Sequence, residues 1–171
     1  MAEREDICIR EFRESDLESV AELIHRTVDV CYTNVYPPRA VEFFKSFHSR
    51  DGILERSRKG AILVAEQNGN VIGTGAIVEN EIYGVFVEPR MQGHGHGRAI
   101  MRELETRAMA KGHSEVALSV SLPSRKFYEG LGYEILHEAH IDVGEGQQLD
   151  FWKAKKSLQQ EANPNRRMEA D

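Results

Sequence analysis

Pro89-Arg90-Met91-Gln92-Gly93-His94-Gly95-His96-Gly97-Arg98 is the stretch on which the reading of this chain turns. Glycine stands at the alternate positions 93, 95 and 97. A backbone so freed turns tightly and comes close to a ligand. Behind the stretch, Ile100, Met101, Leu104 and Ala108 recur at helical spacing, and Gly112 is a helix stop. Ahead of it, Glu81–Val87 reads as a strand. The stretch therefore feeds a helix from a strand. The first amides of a helix have no partners within it, and with the dipole they form an anion site. Arg98 adds a mobile positive charge at the same end.

Two other phosphate motifs fail here. A dinucleotide fingerprint needs glycine or alanine where Arg98 stands counting from Gly93, or where Ile100 stands counting from Gly95. A P-loop needs Gly-Lys-Ser/Thr, which does not follow. A nucleotide-binding oxidoreductase using the same turn is the rival from a different class. His94 and His96 have no third ligand nearby and sit in a glycine loop, so phosphate contact or exposure is expected and no metal.

Upstream, Ile7–Arg10 reads as a short strand, and Ser15-Asp16-Leu17-Glu18 has capping-box spacing. Leu17, Val20, Ala21, Ile24 and Val28 then mark a helix ending near Val30. Pro37-Pro38 starts a second helix with Val41, Phe44 and Phe47 on its apolar face. Ile53–Lys59, between Gly52 and Gly60, reads as a charged connector. Ala61–Ala65 and Val71–Val78 flank Asn68-Gly69 and form a hairpin. Glu79-Asn80 joins the second of these to Glu81–Val87, making three antiparallel strands. Downstream, Glu115–Val120 lies parallel to Glu81–Val87 because a helix connects them. Arg125–Leu131 is a short helix before Gly132, and Tyr133–Asp142 with Leu149–Lys155 closes as a hairpin. The expected fold is an α/β (α+β) domain around a single mixed, mostly antiparallel sheet flanked by helices. It spans residues 1–156, and 157–171 form a disordered tail poor in apolar residues.

The 171 residues fit one domain with a substantial core. The formal charge of −6 argues against a nucleic-acid partner and favours a cationic substrate. No apolar run approaches membrane-span length, and the charged start does not read as a secretory signal. Cys8 and Cys31, with no CxxC partner, read as buried reduced thiols of a cytoplasmic protein.

Gln92-Gly93-His94-Gly95-His96-Gly97 resembles the Q-x-x-G-x-G signature of the GCN5-related N-acetyltransferase (GNAT) superfamily. Ser124-Arg125-Lys126-Phe127-Tyr128-Glu129-Gly130-Leu131-Gly132-Tyr133 resembles its A-x-x-F-Y-x-x-x-G-F segment. Both motifs occur in the superfamily's order, and the element order agrees over Ile7–Lys155. The resemblance implies the acyl-CoA N-acyltransferase fold, in which the sheet is splayed between Glu81–Val87 and Glu115–Val120. It implies acetyl-CoA as cosubstrate and transfer to a primary amine of a small molecule or peptide by direct attack in a ternary complex. Main-chain groups of Val85, Phe86 and Val87 then meet the pantetheine arm, and the amides from Gln92 to Arg98 take the pyrophosphate. Ser121 replaces the usual asparagine and Ser124 the usual alanine, both near pantetheine.

The same resemblance assigns Tyr128 as the general acid that protonates the departing thiolate. A phenol with a pKa of ~10 keeps its proton at neutral pH. Glu81, eleven residues before Gln92, matches the base of the histone-acetylating branch. The main-chain N–H of Val85 or a neighbour is the polarising donor, and Gly84 marks a bulge. The acceptor site falls to His25–His48 and His137–Gln148, with Tyr32, Tyr36, Phe43, Phe44 and Phe47 as aromatic walls. Tyr32 and Tyr36 are placed in a loop, and Asp29, Glu42 and Asp142 are its candidate acids. A non-catalytic acyl-CoA-binding regulator on the same fold is the nearer rival. Whether the protein forms a homodimer stays open at this point.

Overall fold

Asn68 and Gly69 both take positive φ, 51° and 76°, which is the geometry a two-residue hairpin turn requires. They close β2 (Ala61–Gln67) onto β3 (Asn70–Val78), and Glu79 at φ 55° passes the chain on to β4 (Glu81–Val87). This meander is the centre of the computed structural model, which describes residues 6–158. Among the described residues one sheet forms, in the order β1 (Cys8–Glu11), β2, β3, β4, β5 (Glu115–Ser121), β7 (Gln147–Ser157), β6 (Glu134–Gly144). Only β4 and β5 pair in parallel. Their pairing is confined to Glu81↔Ala117 and Ile82↔Leu118, after which the strands part. The splayed, mostly antiparallel mixed sheet expected from the resemblance is the sheet observed.

Helices cover both faces. On one side lie α1 (Leu17–Tyr32), α2 (Pro38–Phe47) and α3 (Arg50–Lys59), packed over Ile62, Val64, Ala76 and Phe86. On the other lies α4 (His96–Ala110), whose Ile100, Met101, Leu104 and Ala108 are fully buried against Leu63, Ala65 and Val116. The short α5 (Arg125–Gly130) sits on the same side through Tyr128. Gly112 at φ 88° stops α4, and the His113 N–H reaches back to the Ala108 carbonyl at 3.1 Å.

Four sequence expectations are corrected. Ile53–Lys59 is not a connector but most of α3: the Ser49 hydroxyl accepts from the Gly52 N–H at 3.2 Å, and Ile53 and Arg56 are buried. Two buried positions on ten residues leave too little periodicity to read. The Ser15–Glu18 capping box does not form, because a 3-10 turn over Glu14–Asp16 precedes α1 and Asp16 accepts instead from the Arg13 N–H at 2.7 Å. Asp16 also holds Arg10 of β1 at 2.8 Å. Tyr32 is the last residue of α1 rather than part of a loop. Cys8 is exposed and Cys31 half-buried, so neither is a buried thiol. β7 runs through Ser157, and the Leu158 N–H bonds the Ser114 carbonyl at 2.8 Å. The tail expected from 157 onward otherwise lies outside the described residues. Among these residues no helix is long and apolar enough to cross a membrane.

Candidate active site

Gly84 sets the site's geometry. It has φ 57°, and the β3–β4 register slips beside it, so Gly84 and Val85 of β4 together oppose the single Gly75 of β3. A strand without a bulge would send Tyr83 and Phe86 to opposite faces. Here both pack toward α1 and α2, while Val85 and Val87 pack toward α4. The bulge lies just past the last β4–β5 pair, so the β5-facing edge from Tyr83 onward has no strand partner. Buried main-chain groups need partners, and this edge is open to receive them from a ligand.

Two cavities meet at that edge. The first, of about 300 Å³, lies under α2 and the β6–β7 hairpin. Phe43, Phe44, Phe47 and Phe151 line it, together with Glu81, His48 and Lys153. The second, of about 480 Å³, is lined by Val85, Phe86, Val87 and by Gln92, Gly93, Gly95, His96, Gly97 and Arg98. Tyr32, Val85, Phe86, Ser124 and Tyr128 border both. The catalytic and cofactor candidates singled out in the sequence are therefore brought together, except His94, which is exposed and lines neither cavity. Tyr36, expected in the acceptor-site wall, is instead buried in the core, its hydroxyl donating to the Asp150 carbonyl at 2.8 Å and accepting from the Leu122 N–H at 2.8 Å.

The glycine turn has the shape its sequence implies. Gly93 and Gly95 take φ 81° and 87°, and Gly95 caps α4. The first-turn amides of α4 are thus presented to the second cavity beside Arg98. Gln92 has a part that its sequence position did not reveal. Its side-chain N–H donates to the Val87 carbonyl at 3.0 Å and braces the turn against β4. The Val87 carbonyl therefore already has one partner.

Tyr128 is buried on α5, edge-on to Phe127 and Tyr133 with centroids 5.0 and 5.6 Å away. Among the described residues its hydroxyl has no hydrogen-bond partner, although it borders both cavities. Burial, with Tyr32 nearby, pushes its pKa up, so the phenol stays protonated. Beside it the Tyr32 hydroxyl donates to Ser121 Oγ at 3.0 Å, and Ser121 and Ser124 Oγ atoms are 2.7 Å apart.

Glu81 is half-exposed at the start of β4, with Lys153 Nζ 3.9 Å from its carboxylate. Lys153 is closer to Ser119 Oγ, at 2.9 Å. Burial and a hydrogen bond to Glu81 push Tyr83 up to about 12. The three acids expected for the acceptor site are elsewhere. Asp29 pairs with Lys45 and Glu42 with Arg39, and Asp142 accepts from Gln148; none lines either cavity. Each is exposed, on the outer face of its element.

His48 and Arg56 were not singled out. Both are buried, and the guanidinium Nη1 lies 3.2 Å from His48 Nδ1. Burial first, then Arg56 and His25, lower the His48 pKa to about 3. An unfolded histidine near 6.5 takes up a proton that the folded one refuses. The unfolded chain thus binds more protons between about pH 3 and 6.5. Stability is full above that window and falls with pH inside it. The slope from this group is about 1.4 kcal/mol per pH unit. Denaturant unfolding at pH 7 and pH 5 should show a smaller acid loss in His48→Gln than in the wild type. An equal loss in both would remove His48 as the cause.

The comparisons agree with this architecture. The family model described as the acetyltransferase (GNAT) domain matches residues 32–144. The Escherichia coli K12 protein YafP, described as an uncharacterized N-acetyltransferase, is 21% identical over 137 residues, 80% of this chain and 87% of YafP. A GCN5-related N-acetyltransferase from Rhodopseudomonas palustris superposes with a TM-score of 0.81 at 19% identity, over 88% of this chain and 95% of that one. The PaiA N-acetyltransferase of Thermoplasma acidophilum, solved with coenzyme A, gives 0.72 at 21% identity, over 90% and 99%. The family match extends from the end of α1 to the end of β6 and takes in the bulge, the glycine turn and Tyr128, so this chain belongs to the GNAT acetyltransferase family.

Proposed function

We propose that the protein transfers an acetyl group from acetyl-CoA to a primary amine of a small molecule or peptide, by direct attack in a ternary complex. The observation that carries this is the meeting of two cavities at Tyr128, one backed by an anion-binding helix start and the other walled by aromatic rings. The chain's own groups fit acetyl-CoA. The unpaired β4 edge at Val85 and Phe86 suits the amides of the pantetheine arm, with Ser121 and Ser124 opposite. The amides from Gly93 to Arg98 suit the pyrophosphate. The bound thioester supplies an electrophilic carbonyl and a thiol leaving group. Glu81, directly or through water, takes a proton from the bound ammonium, and the neutral amine attacks. The main-chain N–H at the Gly84–Val85 bulge polarises the carbonyl oxygen. As the N–C bond forms and the C–S bond breaks, the Tyr128 hydroxyl gives its proton to sulfur, and the second proton lost by the acylated nitrogen restores the phenol.

An amine panel assayed by thiol release tests the proposal: polyamines, lysine-bearing peptides, aminoglycosides and amino acids with acetyl-CoA. Release dependent on one amine class is expected. Tight NADPH binding without CoA binding would sink it. The glycine turn has its own test. A β-branched side chain is strained at φ 87°, by about 1–2 kcal/mol. No atom crowds a Cβ at Gly95, so the strain falls on the turn and not on the core. Gly95→Val is expected to weaken CoA binding about tenfold, since about 1.4 kcal/mol is a factor of ten. Calorimetry reads this, and the same strain should lower the melting temperature by only about 2–8 °C, leaving the protein folded at the assay temperature. Unchanged CoA affinity would remove the turn from the site.

A further inference from the structure

The first cavity contains a polar group without a partner. His48 Nδ1 faces a guanidinium, which can only donate. Nδ1 is therefore the acceptor, and the ring proton sits on Nε2. A low pKa keeps the ring in this single neutral form. A Cβ on Gly84 would meet His48 Cε1 at 3.2 Å and Arg56 Nη1 at 3.3 Å, so this edge of the ring abuts the β4 bulge. Phe47 and Phe86 stand edge-on to the ring, at 5.0 and 5.3 Å. Among the described residues nothing accepts from Nε2. Nor is Nε2 sealed: among the described residues the side-chain polar atom sealed without a partner is Arg107 Nε. His48 lines the first cavity, so its N–H is offered to the contents.

Arg56 strengthens the offer. It is buried with no carboxylate beside it among the described residues; its other contacts are the Phe47 carbonyl at 3.4 Å and the faces of Phe47 and Tyr83. A cation behind a donor makes it a better donor and favours an electron-rich acceptor. The charged side chains on or behind the cavity wall are Glu81, Lys153 and Arg56, one acid against two bases. A second ammonium on the acceptor molecule finds no acid to pair with there. The remaining wall is aromatic and aliphatic apart from Ser119, which accepts from Lys153, and Ser121 and Ser124, which bond each other.

We propose that the His48 Nε2–H, held in place by Arg56, binds a carbonyl-type oxygen of the acceptor, and that the acceptor is a monoamine bearing that oxygen next to an apolar group. This is the chemistry of an apolar amino acid, its amide or the first residue of a peptide. His48 is a specificity residue rather than a catalytic one. The inference rests on the acceptor cavity of the proposed function, and its test measures binding, so a failure of acetyl transfer does not imitate its failure.

Calorimetry on the CoA-saturated protein compares phenylalaninamide, phenylalanine and phenethylamine. The first two distinguish a neutral carbonyl from a carboxylate, and the third lacks the oxygen. Phenylalaninamide or phenylalanine should bind about tenfold tighter than phenethylamine, as one ligand hydrogen bond to an otherwise unpaired donor implies. His48→Leu should erase the preference, and His48→Gln, which keeps a donor near Nε2, should restore most of it. A second readout needs no variant: the His48 Nε2–H signal in a 15N-histidine spectrum should move with phenylalaninamide and stay with phenethylamine. No preference in the wild type, a preference that survives in His48→Leu, no heat with any of the three, or an unmoved signal would each overturn the inference.

Discussion

Tyr128→Phe is expected to lower turnover about 10²- to 10⁴-fold while leaving CoA affinity unchanged. The ring's edge-on contacts with Phe127 and Tyr133 are kept in the variant. The hydroxyl has no partner among the described residues, so its removal orphans no other group. What is lost is a buried proton donor where the two cavities meet. Burial holds that proton in place across the working pH range, so the deficit should not vary with pH. A tyrosine that only packs would give a variant with wild-type turnover. Single-turnover measurement of thiol release, with CoA binding by calorimetry, separates the two cases.

Glu81→Gln is expected to cost about 10²-fold at neutral pH, and the cost should shrink as pH rises. The amine arrives mostly protonated, with a pKa of ~10. Without a base the variant depends on the free amine, whose fraction rises about tenfold per pH unit below that pKa. Its rate should therefore climb toward the wild type between pH 7 and 9. A deficit constant over that range would make Glu81 a structural residue that orders Tyr83 and Lys153. The amide cannot take a proton but fills nearly the same space, so the fold is not at stake.

Much of the fold was legible because its signals are local. Asn68-Gly69, Gly112 and Gly132 take the positive φ their positions demand, at 76° for Gly69, 88° for Gly112 and 91° for Gly132. The buried face of α4 is the one its spacing marked. Helix α3 was missed for a physical reason. Its stability comes from Ile53 and Arg56 packing beneath α1 and β4, not from an amphipathic face of its own. The Ser15–Glu18 capping box did not form because Asp16, held by Arg10 of β1, takes the Arg13 N–H instead.

The amino-acid sequence by itself determined the glycine turn at 93–97, the helix it starts and the order of elements around it. Backbone conformation at a glycine, and the period of an apolar face, are properties of neighbouring residues. The tertiary structure alone decided which side chains share a cavity. Tyr128 meets Val85 across strands that part, and a bulge reverses the face on which Phe86 stands. His48 meets Arg56 because α2 and α3 fold back over β4, burying a cation with no acid beside it among the described residues. No pattern along the chain encodes such a contact, because its energy depends on burial that exists only once the layers have closed.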